Sequence, residues 1–176
     1  MSTYQIDASH SGAQFKVRHM MIANVKGEFD KVTGTVHFDE ANPAASRVEA
    51  AIDVNTISTR DEQRDGHLKS PDFLDAAQYP SIDFKSKKVT ASGPGTFTLL
   101  GDLTIHGVTK EVSVKVDELT PEAKDPWGGT RRGAAASTRI NRKDFGMHFN
   151  MALEAGGFLV GDEVDIHIDV ELLKQA

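Results

Sequence analysis

Residues 164 to 172 read Val-Asp-Ile-His-Ile-Asp-Val-Glu-Leu. Val164, Ile166, Ile168, Val170 and Leu172 alternate without a break with Asp165, His167, Asp169 and Glu171. Side chains on a strand repeat every two residues, so this segment has one oily face and one wet face. Such a strand cannot stand alone, because its apolar row has to be covered by other rows of the same kind.

The chain supplies those rows. Ala13, Phe15, Val17 and His19 alternate with Gln14, Lys16 and Arg18, and Val32, Gly34, Val36 and Phe38 with Thr33, Thr35 and His37. Further rows are Val48-Ala50-Ile52-Val54, Ile82-Phe84, Phe97-Leu99-Gly101-Leu103-Ile105 and Val112-Val114-Val116. Residues 131–145 are a weaker case, whose small side chains indicate a strand that other groups approach closely. Gly, Pro or Asn stands at each junction: Asn42-Pro43, Gly93-Pro94-Gly95, His106-Gly107, Pro126 to Gly129 and Gly156-Gly157. Single-sided alternation in closely spaced strands predicts an all-β antiparallel barrel or sandwich of about eight or nine strands.

One segment breaks the alternation. Residues 58–80 look helical, with Ser58 or Thr59 able to cap the start and Asp61 and Glu62 in the first turn. Ser70 and Pro71 offer a second helical start, and Leu68, Phe73 and Leu74 would face inward. The expected insert, Asp61 to Leu74, covers one barrel end either as a movable lid or as a fixed plug. The 176 residues contain no linker or repeat, so a single domain over residues 1–176 is expected.

Charge excludes some function classes. The net charge is -6, and the densest basic run is Lys85 to Lys88, so attraction to nucleic acid or to an anionic membrane surface is not supported. There is no cysteine, which rules out disulfides and thiol chemistry. The start of the chain has no signal-like segment, and no run approaches the roughly 18 apolar residues of a membrane span. As written, the chain is expected to be soluble and cytoplasmic.

Little points to catalysis. There is no nucleophile elbow, phosphate loop or dinucleotide fingerprint, and no metal ligand set or cofactor is expected. Seven histidines are present, none paired at the spacing of a helical zinc motif. His167 and Asp169 share the wet face of their strand. His10 and His19 flank the first alternating strand, and His19 reads either as a core histidine bonded to backbone or as a contact for the polar end of a ligand. An eight-stranded barrel has room for a side-chain plug or for one small ligand, and alternation alone does not choose.

Five blocks then occur in order: YQIDASHSGAQFKVRHM, VKGEFDKVTGTVHFD, RDGHLKSPDFLDAAQYPSIDF, GDLTIHGVTKEVSVKV and INRKDFGM. Together, from about Tyr4 to Leu173, they resemble the YceI-like family of polyisoprenoid-binding proteins. The resemblance rests on His10-Ser11, Arg18 to Met20, Arg64 to Leu68, Pro71 to Phe73 and Leu103 to Lys110. It implies an extended, lipocalin-like antiparallel β-barrel of about eight strands with a short helical insert. It also implies a bound polyprenyl chain or isoprenoid quinone, a homodimer, transient membrane contact for lipid exchange and no catalytic residue. Many relatives are exported, whereas the opening residues here lead to the expectation of a chain without a leader. The lipid-binding set expected on this basis is Phe15, Val17, His19, Phe29, Phe38, Ile52, Val54, Leu68, Phe73, Phe84, Leu99, Leu103 and Phe145. His19 would mark where the pore lining turns polar.

Two other readings remain open on the residues. One is an enzyme acting on a bound apolar substrate, with His19 or His10 as acid–base. The other is a filled barrel serving structure or protein interaction.

Overall fold

The computed structural model describes all 176 residues. Its strands are β1 (Ser2–Ile6), β2 (Gly12–His19), β3 (Ala23–Phe29), β4 (Val32–Phe38), β5 (Arg47–Asp53), β6 (Ser81–Gly93), β7 (Thr96–Ile105), β8 (Val108–Leu119), β9 (Ala123–Lys124), β10 (Thr130–Asn141) and β11 (Val160–Lys174). The single α-helix, α1, spans Glu62–Lys69.

All strand pairings are antiparallel. β1 and β2 share one edge of β11, where β1 lies opposite Leu172 to Lys174 and β2 opposite Val160 to Asp169. A 3₁₀ turn, Ala8–His10, separates the two. β3 and β4 repeat this arrangement in the next position, pairing with β2 and β1 respectively. The chain then passes through β5, β6, β7 and β8 to β10, and β10 pairs with β11 from Arg131↔Leu173 to Asn141↔Glu163. This last ladder closes an eight-stranded barrel. Closure leaves no open edge along the main wall.

The long β10 corrects the weak reading of residues 131–145. Gly133 and Ala134 to Ala136 carry little side-chain signal, yet the segment is held on both sides, by β8 and by β11. The His106-Gly107 junction is a tight turn with both residues at positive φ, the backbone that two-residue hairpins require.

Barrel parity separates two environments. Lys16, Lys85, Asp102, Glu111, Arg139, Asp165 and His167 point outward, several of them in exposed ion pairs. That outer face is the opposite of a membrane barrel's outward apolar band. No helix is long and apolar enough to cross a membrane.

The helical insert is shorter than expected. Asp61, rather than Ser58 or Thr59, caps α1, its side chain accepting from the Arg64 N–H at 3.0 Å. Thr59 is instead buried, and its N–H and hydroxyl both donate to Asp65 Oδ1. Ser70 ends the helix, and Pro71 opens a series of turns rather than a second helix. Leu74 N–H returns to Leu68 C=O and Ala76 N–H to Lys69 C=O, which folds the segment back on itself. The insert fills a defined gap: beyond β5 the outer edge of β3 has no strand ladder, and its one β-bridge there joins Glu28 to Ser58.

A charged staple holds the corner where β1 gives way to β2. Arg131 on β10 donates to Asp7 at 2.8 Å, to Glu171 at 2.7 Å and to Asp125 at 2.7 Å. Hydrogen bonds from Ser9, then from Arg131 and His10, hold the Asp7 carboxyl well below the usual range. Arg131 does the same for Asp125. A depressed carboxylate stabilises the fold above its unfolded pKa, near 4, and this contribution is lost as pH falls toward the folded value. Thermal melts should therefore show Tm falling below about pH 4. In Arg131→Met, which removes the cation shared by Asp7, Asp125 and Glu171, Tm should be lower at pH 7 and the deficit should shrink in acid. An equal deficit at pH 7 and pH 3 would contradict the staple.

Candidate functional site

The inner rows of the barrel enclose a cavity of about 290 Å³. Thirty-nine residues line it, and 35 of them are hydrophobic. β11 contributes Val164, Ile166, Ile168, Val170 and Leu172, and β7 contributes Phe97, Leu99, Leu103 and Ile105. The cavity reaches from Phe38 and Leu119 at one end to Leu68, Phe73, Leu74 and Met147 at the other. On the strands, Gln14 excepted, the lining side chains are where parity puts them, so an oily pore follows from alternation in a closed sheet.

Two glycines keep the largest side chains out of the middle. Gly27 stands opposite Phe15 in the β2–β3 ladder, and a Cβ built on it would lie 2.2 Å from Phe15 Cζ. The tip of the Phe15 ring therefore occupies the space over Gly27, and the ring meets Phe29 with centroids 5.6 Å apart. Phe84 lies similarly over Gly101, where an added Cβ would come 2.7 Å from its ring. Aromatic rings laid over glycine cover backbone and still leave a lumen.

The four polar members of the wall are Gln14, Ser46, Thr138 and Arg142. Thr138 donates to Ser113 C=O, and Ser46 accepts from Asp39 N–H. Arg142, 3% exposed, donates to the carbonyls of Gly161, Met147, Phe149 and Val160. Burial lowers its pKa and nearby Asp162 opposes the shift, yet a guanidinium stays charged at neutral pH. Arg142 is thus a tie that folds residues 146–161 across the pore end. Gln14 is exposed and belongs to the outward row of β2, opposite His167 and Glu28, so it only borders the lumen.

At the same end, His67, Phe73 and Phe149 form a ring cluster with centroids 4.8 to 5.2 Å apart. His67 Nε2 also pairs with Asp72 at 2.9 Å. The cluster joins the α1 segment to the loop after β10.

Of the thirteen residues expected to bind lipid, Phe15, Val17, Phe29, Phe38, Ile52, Leu68, Phe73, Phe84, Leu99 and Leu103 line the cavity. Three do not. His19 shares the parity of Val17 but sits at the hairpin end, opposite Val160 and beyond a register shift in β11. Val54 and Phe145 are each 1% exposed but belong to 3₁₀ turns, where the two-residue period no longer assigns a face. Arg142 and Gly27, which shape the site, were not picked out from the sequence. Arg142 lies within the INRKDFGM block and Gly27 within VKGEFD, and only the fold reveals their roles.

The histidines stand apart from the pore wall. His10 is exposed and bonded to Asp7 and Ser9. His167 pairs with Asp169 on the outer face. Asp7, His10 and Glu171 do converge closely, but the Arg131 guanidinium already fills the charge requirement of both carboxylates.

This architecture is shared by known proteins. Residues 4–172 match the YceI-like domain. The chain belongs to the YceI-like family. A UPF0312 protein of Vibrio cholerae is 40% identical over 146 residues, covering 82% of this chain and 77% of that one. One of Pseudomonas paraeruginosa is 34% identical over 174 residues, covering 98% and 87%. Among solved structures, the Campylobacter jejuni YCEI protein superposes with TM-score 0.74 at 28% identity, over 90% of each chain. Burkholderia cenocepacia BcnA gives 0.81 at 23% identity, over 94% of this chain and 98% of that one. A polyisoprenoid binding domain from Saccharophagus degradans gives 0.69 at 16%, over 99% and 100%. The last two speak to the YceI-like fold alone.

The glycine device of this YceI-like barrel is testable. Gly27→Ala should push the Phe15 ring into the lumen, because the new Cβ would overlap a movable ring tip and a Thr59 methyl rather than backbone. Uptake of an apolar fluorescent probe should weaken several-fold while Tm falls by only a few degrees, as for an overpacking change of about 1–2 kcal/mol. Unchanged uptake would show that Phe15 does not gate the lumen width.

Proposed function

We propose that the barrel binds one long isoprenoid chain, a polyprenyl lipid or an isoprenoid quinone, as carrier or store. The observation that carries this reading is the shape and chemistry of the cavity: a lengthwise pore with 35 apolar lining residues of 39, whose inward polar members Ser46, Thr138 and Arg142 are all hydrogen-bonded within the protein. The polyisoprenoid binding domain from Saccharophagus degradans, which has the same fold, supports the ligand class.

Pore length supports a chain over a compact ligand. Val164 to Leu172 spans about 26 Å along β11 at roughly 3.3 Å per residue, or about 20 Å along a barrel axis tilted by roughly 40°. A carbon chain advances about 1.3 Å per bond, so the pore accommodates about four isoprene units lengthwise. Burial of one such unit from water is worth about 3–4 kcal/mol. Eight units would sum to about 30, above the roughly 20 kcal/mol ceiling of non-covalent affinity. The lipid, however, starts in a bilayer, and moving between two oily media yields little net hydrophobic energy. Selection then falls to pore length, width and contacts with the polar end, which fits carriage or storage.

The acid–base alternative finds no histidine on the pore wall, since neither His10 nor His19 lines it. The filled-barrel alternative is disfavoured by the lumen itself.

Phe84→Asp tests the reading. An unpaired carboxylate on this wall is costly to bury, so affinity for an apolar fluorescent probe should fall at least tenfold in a variant that still shows the β-sheet circular dichroism of the parent. Unchanged affinity in the folded variant would sink the pore as the binding site.

A further inference from the structure

Two hairpin tips at the α1 end expose apolar side chains that neither the pore nor the core uses. Met20, Met21 and Ile22 cap the β2–β3 hairpin, and Met151 and Phe158 stand on the loop after β10. Their exposures run from 42% to 76%. The tips touch: Met20 N–H donates to Leu159 C=O at 2.8 Å, and Met21 Sδ lies where a Cβ on Gly157 would fall.

The turn itself is strained for its sequence. Met20 and Met21 have φ of 51° and 61°, and Ile22 N–H closes the turn on His19 C=O. Asn-Gly is the pair that adopts such a turn readily, because left-handed backbone penalises larger side chains. Two methionines held there against backbone preference, and left in water, indicate a use outside the fold.

Charge around the tips points to the occupant. Residues 18–27 and 146–161 contain one carboxylate, Glu154, although the whole chain has 26. Arg18 and Lys26 on the hairpin are basic, and neither appears in an ion pair. The nearest acidic groups on β11 already have cationic partners: Asp162 has Lys143, Glu163 has Arg139, and Asp165 has Arg139 and Lys16. Five side chains on two narrow tips fall far short of the roughly 20–30 residues per side of a stable protein interface. They suit shallow insertion into a bilayer, where flexible Met and aromatic Phe reach past the headgroups and basic neighbours meet anionic lipid. The patch also adjoins the pore end, since the same loop carries Met147 on the pore wall and Phe149 against Phe73.

We propose that the Met20–Ile22 tip, with Met151 and Phe158, is a membrane-docking surface that seats the pore end on an anionic bilayer. The proposal rests on the lipid-binding reading for its purpose, but its test does not need the ligand. Co-sedimentation with phosphatidylcholine vesicles containing phosphatidylglycerol should retain the wild-type protein and lose M20N/M21G by at least tenfold in apparent affinity. Because Asn-Gly suits the turn, the same variant should melt at an equal or higher temperature, and its affinity for an apolar probe in detergent should be unchanged. Phe158→Ser, on the other tip, should weaken vesicle binding in the same direction. Phe84→Asp should sediment with vesicles as wild type does, so failure of the pore and failure of the docking surface are read separately. Vesicle binding that is absent in the wild type or unchanged in M20N/M21G would overturn the proposal. So would a shift of M20N/M21G from dimer to monomer by light scattering, which would make the tips an interface between copies of this chain.

Discussion

The β10–β11 ladder is the constraint on which the rest depends. Once Arg131↔Leu173 through Asn141↔Glu163 are paired, the sheet has two surfaces of unequal curvature and its main wall has no free edge. Period-two alternation then sends Val164, Ile166, Ile168, Val170 and Leu172 inward together with the matching rows of β2, β4, β5, β6, β7 and β8. The inward rows are apolar and the outward rows charged, so folding produces an oily lumen with no further instruction. Side chains do not fill that lumen, partly because Phe15 and Phe84 are laid over Gly27 and Gly101.

The ends of the barrel follow different physics from its wall. Along the wall, backbone groups are satisfied by the ladders. At the α1 end, β3 lacks a continuous strand neighbour, and the chain uses side chains instead: Asp61 capping α1, Asp65 holding Thr59, Arg142 collecting four carbonyls and the His67–Phe73–Phe149 rings. Few cooperative ladders cross this region, so it can open at lower free energy than the wall. Access for a long chain is expected there, beside the exposed tips.

Much of the wall was legible in the sequence because alternation is a local code. Phe15, Val17, Phe84, Leu99 and Leu103 needed only parity to be assigned inward. The code fails where the backbone leaves the extended state, and Val54 and Phe145 were misplaced for that reason. His19 failed differently: parity names a face but not whether a position lies within the length of the cavity. The α1 caps were misjudged because several residues, Ser58, Thr59, Ser70 and Asp61, have capping chemistry, and tertiary contacts decide among them. Arg142 and Gly27 act through partners distant in the fold, so no local signal marked them. The chain's acidic balance is an average, and it conceals two loops, residues 18–27 and 146–161, that together hold one carboxylate.

The central claim is that an apolar chain occupies the pore. Organic extraction of the purified protein followed by mass spectrometry tests it most directly. The account predicts close to one molecule per barrel carrying an isoprenoid chain of at least about four units, the length set by the strand rise and tilt. An extract without an apolar molecule in stoichiometric amount, or with only compact ligands, would contradict it.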